Sequence, residues 1–157
     1  VQHHPIWIPA LDRHREVGPL LLRLFVAFVL IYGTQDNVLS SERMLEFRDF
    51  LEGHGFPYPL ASAWLSVYAQ FLCGWLILFG FLTRVAALVM IINFVVALLT
   101  VHVGLPFSAN IAPLAMLFGS LFFGFHGAGP YSVDARIRTS GAGVDADRSQ
   151  RAREHAR

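Results

Sequence analysis

The chain has no lysine: all 12 basic side chains among its 157 residues are arginine. Charge of either sign is scarce, at 15% of residues against about a quarter in an ordinary soluble domain. Set beside the excess of Leu, Phe, Val and Ala, that scarcity makes a disordered chain, a coiled coil and a water-soluble enzyme poor fits. A single cysteine, Cys73, excludes an internal disulfide, a CxxC pair and a cysteine-rich metal knuckle. It stands in an apolar run, where a thiol usually acts as a small packing residue. No basic face with interleaved aromatics is present, so nucleic acid is not an expected partner.

What is abundant is apolar side chain, 55% of the chain, with a mean hydropathy of +0.52. It falls into four stretches, about Leu20 to Val38, Leu60 to Leu82, Val85 to Val103 and Phe107 to Phe125. Each is close to the ~20 residues that carry a helix across about 30 Å of hydrocarbon. None alternates with period two, and hydrocarbon leaves helices as the remaining way to satisfy the backbone. The expected fold is all-α, a polytopic membrane protein built as a four-helix bundle. Residues 1–19 form an N-terminal cytoplasmic segment, 20–138 the membrane domain, and 139–157 a flexible cytoplasmic tail. The first stretch reads as a retained span, since it contains Arg23 and ends in Gln35-Asp36-Asn37 without a small-residue cleavage site.

Arginine placement sets the expected orientation. Arg13 and Arg15 precede span one, Arg84 lies between spans two and three, and Arg136 and Arg138 follow span four. Both termini are therefore expected in the cytoplasm, with Arg23 snorkelling to that face. The loop from Leu39 to Pro59 carries Met44, Phe47 and Leu51 at helical spacing behind Ser41, a candidate cap. This short amphipathic outer helix either lies on the interface or packs as a lid on the bundle's end.

Polar groups inside hydrocarbon each require a reason. Tyr32, Gln35 and Asp36 share one face of span one; Gln70 lies in span two, Asn93 in span three, and His102 ends span three. All six gather towards the outer half of the expected bundle. One reading makes them a ligand pocket in which Asp36 pairs with His102 and exchanges protons with a quinol. The other makes them interhelical hydrogen-bond glue. No metal site is expected, and a haem held by His102 and His126 is excluded because they end their spans at opposite faces. Ala115 and Gly119 have the small-xxx-small spacing of close helix packing or self-association.

Three segments together resemble the DoxX family: Phe47, Phe50, Leu51, Gly55, Phe56 and Pro57 after span one; Gly80 to Arg84; and Gly129 to Asp134. The resemblance covers about Leu20 to Ile137 and implies a four-helix protein of the bacterial inner membrane. It further implies a subunit or accessory of a quinone-linked redox system, handling thiosulfate, thiols or oxidative stress beside a partner subunit. On that reading no cofactor is tightly bound, and quinone is the expected ligand. The chain departs from the family pattern where Gly33-Thr34-Gln35-Asp36 replaces Gly-x-Gln-Lys. Gln70-Phe71-Leu72-Cys73-Gly74 likewise replaces Glu-Leu-x-Gly-Gly, which removes a carboxylate from span two. Two other functions fit the sequence: a non-enzymatic scaffold docking a soluble enzyme on its charged outer helix or arginine-bearing tail, and, less well supported, a lipid or small-solute transporter.

Overall fold

The computed structural model describes residues 14–140, which are helical without a strand. Five helices follow in order: α1 (Val17–Leu39), α2 (Ser41–Gly53), α3 (Pro59–Phe79), α4 (Thr83–Thr100) and α5 (Phe107–His126). Residues 133–140 add about two further turns of helix after α5. α1, α3, α4 and α5 are each long and apolar enough to cross a membrane. In each, only 28% of the apolar window is buried within the chain. Side chains such as Leu21, Phe28, Leu72, Leu88 and Phe118 face outward, an apolar surface far beyond what a water-soluble monomer tolerates. The protein is a multi-pass membrane protein. Expectations for residues 1–13 and 141–157 lie outside the described residues.

The four spans pack as a ring, α1 on α3, α3 on α4, α4 on α5, with α5 closing on α1. Their shared core holds Val26, Ala27 and Leu30 of α1, Cys73 and Ile77 of α3, Ala87, Met90 and Phe94 of α4, and Met116 and Phe123 of α5. Lipid tails are as apolar as these side chains, so close packing rather than escape from water drives this association. Two glycines set how near the helices come. A Cβ on Gly74 would stand 2.8 Å from Ile31 Cγ1, and one on Gly119 would stand 2.8 Å from Val26 Cγ2. Gly119 is thus taken up inside the chain, against α1, rather than offered to a second copy.

Ser40, one residue before the expected cap, begins α2: its hydroxyl accepts from the Arg43 N–H. Met44 and Leu51 are buried, with Phe47 half-buried beside them, against Ala63 and Val67 of α3 and Val101 after α4. The apolar stripe therefore serves as a lid on the bundle's end. Arg43–Glu46 and Arg48–Asp49 pairs occupy its exposed side.

At the opposite end, Arg23 does not snorkel. Its side chain is 4% exposed; Nη1 donates to the Ala128 carbonyl at 2.8 Å and Nη2 to that of Tyr131. The opposite charge acting on it is Asp134. That carboxylate accepts from the Leu82 and Thr83 N–H groups at 2.9 and 3.0 Å, capping α4, while the Asp134 N–H donates to the Gly80 carbonyl. Leu82 sits in the left-handed region at φ 47°, a conformation that costs about 1–2 kcal/mol outside glycine. The two segments at Gly80–Arg84 and Gly129–Asp134 thus form one clasp, with Arg23 as its pin.

Two thermal-melt comparisons in detergent follow. Gly74→Ala should lower stability by about 1–3 kcal/mol through overpacking. Gly33→Ala, with nothing within 4 Å of its new Cβ, should raise it by about 0.5–1 kcal/mol. Equal shifts at the two sites would contradict the packing described. Asp134→Ala should cost about 0.5–2 kcal/mol as a lost cap. Arg23→Leu, which strips two carbonyls of a charged donor, should cost about 1.5–3 kcal/mol; an unchanged melt for either would refute the clasp.

Candidate functional site

Beneath the α2 lid, between α3 and α4, lies a cavity of about 480 Å³. Its volume falls within the roughly 300–1,000 Å³ usual for small-molecule sites. Phe47, Phe50 and Leu51 of α2, with Phe56 of the loop that follows, form its apolar roof. Pro113, inside α5, also lines it; as a proline it has no N–H to give the carbonyl four residues back.

One polar patch interrupts these walls. Ser66 and Gln70 stand one turn apart on α3, so they share a face, and Asn93 opposes them from α4. Gln70 Nε2 donates to Ser66 Oγ at 3.2 Å, and the Ser66 hydroxyl donates to Asn93 Oδ1 at 2.9 Å. The direction of this chain decides what is left over. Among the described residues the Asn93 amide NH₂ and the Gln70 Oε1 make no hydrogen bond, so the cavity keeps one free donor group and one free acceptor. His102, just beyond α4, also lines the cavity, and its Nδ1 is buried without a partner. A buried unpaired polar atom is destabilising by about 1–3 kcal/mol; Arg23 Nε and Thr83 Oγ1 share this state at the opposite end, and His102 is the one of the three that lines the cavity. Histidine is the only titratable side chain in the lining.

Of the six residues expected to form a pocket, Gln70, Asn93 and His102 come together here. Asp36 does not join them. It is exposed in a separate open groove of about 440 Å³, beside Gly33, Asn37, Arg43 and Glu46. Phe47 lines both spaces and stands as the partition between them. The expected Asp36–His102 pair is therefore absent: no hydrogen bond or ion pair joins them, because α2 crosses between the end of α1 and the end of α4. Tyr32 is 62% exposed and stacks on Phe28 at 5.4 Å along the outer surface of α1. Gln35 is half-buried and lines neither space. Sequence reasoning missed Ser66, although its i, i+4 spacing from Gln70 was a usable signal. Other polar groups are satisfied locally rather than between helices: Thr100 Oγ1 donates to the Val96 carbonyl, and Asn110 Nδ2 donates to the carbonyls of Leu105 and Pro106.

A double-mutant cycle tests this division. Asp36→Ala and His102→Ala should be additive in stability within about 0.3–0.5 kcal/mol. Ser66→Ala and Asn93→Ala should couple by about 0.6 kcal/mol, the usual worth of an interhelical hydrogen bond in a membrane. Coupling above 1 kcal/mol between Asp36 and His102 would contradict the partition.

Compared with known families, the model of the DoxX family matches residues 18–103, more than half of the chain, from the start of α1 to just past His102. No curated protein and no solved structure matches.

Proposed function

The chain belongs to the DoxX family, and from that premise we propose that it is the quinone-binding subunit or accessory of a membrane redox system. The observation that carries this reading is the polar inventory of one cavity: the free Asn93 amide, the free Gln70 carbonyl and the unpartnered His102 Nδ1. A quinone ring is a flat apolar body with two oxygens at its edges, and it suits a cavity that is greasy apart from a few hydrogen-bonding groups. Asn93 donates to a ring carbonyl. Gln70 accepts from a ring hydroxyl in the reduced form, but an amide cannot serve as acid or base. Proton exchange with the outer surface falls to His102 at the rim, on the side that the positive-inside rule places outside a bacterial inner membrane. Asp36, Tyr32 and Gln35 have no part in this pocket. Electrons leave or arrive through a partner subunit.

Purification in mild detergent followed by solvent extraction tests the proposal. The protein should carry quinone or bind added quinol; Asn93→Leu should weaken binding of either form, and Gln70→Leu that of quinol alone, each about tenfold, the worth of one hydrogen bond near 1.4 kcal/mol. Asp36→Ala should stay within about twofold of wild type. Protein that is free of quinone and binds none would end this reading, as would an Asp36 variant that loses as much affinity as the Asn93 variant.

A further inference from the structure

The same cavity has a wall on which its lining residues are also outer surface. Leu65 is 75% exposed, Ile92 58% and Val96 43%, yet all three line the cavity. Side chains in both positions at once frame an opening between α3 and α4. Its depth follows from helix geometry. Leu65 lies six residues into α3 and Ile92 eight residues before the end of α4, about 9 and 12 Å below the bundle's end at 1.5 Å per residue. The hydrocarbon core is about 15 Å deep on each side of its midplane, so the opening faces acyl chains rather than water. The roof above it is the apolar quartet from α2 and the following loop, with His102 beside it.

Resting on the cavity being the ligand site, we infer that its ligand is admitted sideways from the bilayer through the α3–α4 window, and that it is a single-tailed amphiphile. A neutral head with a hydrogen-bond acceptor and donor meets Asn93 and Gln70. Its one prenyl or alkyl tail runs out between Leu65, Ile92 and Val96 into the leaflet. A water-borne, tail-free ring lacks the part that this window holds. A phospholipid would bring a phosphate to a lining that has no arginine to meet it. A head that both donates and accepts is shared by a tailed quinol and a long-chain alcohol, and only the ring tells them apart; the oxidised quinone, with acceptors alone, meets Asn93 but not Gln70.

Photolabelling separates these possibilities. The full chain in nanodiscs is exposed to two probes with a diazirine midway along a ten-carbon tail, one ending in a benzoquinone and one in a plain hydroxyl. Labelled residues are read by mass spectrometry with and without unlabelled tailed competitor. The expected result is competed labelling of Leu65, Ile92 and Val96 by the quinone probe, falling at least fivefold in a Leu65→Phe/Ile92→Phe variant. Val96→Phe serves as a second, single-site plug, and the melting temperature of each variant is checked against wild type. Competed labelling by the alcohol alone would keep the window and overturn the quinone reading. Labelling that is not competed, or that persists in both plugged variants, would overturn the window. Equal competition by a tail-free benzoquinone would overturn the requirement for a tail while leaving quinone binding intact.

Discussion

Hydrocarbon supplies no hydrogen bonds, so every polar atom carried into it must be met by the protein itself or by something the protein binds. That constraint organises both ends of this molecule. At one end it is met at the two Nη groups of Arg23, which reach carbonyls beyond α5 and tie together the first span, the α3–α4 turn and the segment after α5, while Arg23 Nε and Thr83 Oγ1 stay buried without a partner. Asp134 completes the arrangement by capping α4. The bundle is closed there by polar bonds, since apolar packing has little preference between a neighbouring helix and a lipid tail.

At the other end the constraint is met only in part. Ser66 bridges Gln70 and Asn93, yet the direction of the bridge leaves an amide and a carbonyl over, and His102 Nδ1 has no partner. The α2 lid roofs the cavity that holds these groups without satisfying them. The two ends of the same four helices divide the labour: one binds the first span, the α3–α4 turn and the segment after α5 to one another, and the other keeps its unpaired groups around a cavity. Asp36 belongs to neither, being on the open side of Phe47 where water can reach it.

The spans were legible because their signal is length and hydropathy, which the bilayer reads directly: each apolar stretch became a helix, with ends moved by a few residues. Glycines and capping groups did the moving. Gly80 in the left-handed region stops α3 at Phe79, before Leu82, and Asp134 sets where α4 begins. The stripe of Met44, Phe47 and Leu51 was equally clear, but periodicity cannot say whether protein or lipid covers it; burial against Ala63 and Val67 does. Depth alone placed Asp36 beside His102. Their separation depends on α2 passing between two helix ends, a tertiary fact with no trace in either residue's neighbours. Arg23 misled for a similar reason, because its partners lie more than a hundred positions away. Gln70 and Asn93 were found because an amide in a membrane span is conspicuous, whereas Ser66 is small enough to pass as packing.

A structure determined with a tailed quinone present is the most direct test of the central claim, that the unpaired polar groups under α2 await a ligand. The account predicts ring density beside Asn93 and Gln70, with His102 within hydrogen-bonding distance of the ligand or of a water it orders. Ring density in the open groove beside Asp36 and Glu46, or a closed cavity in which His102 has found a protein partner, would contradict it.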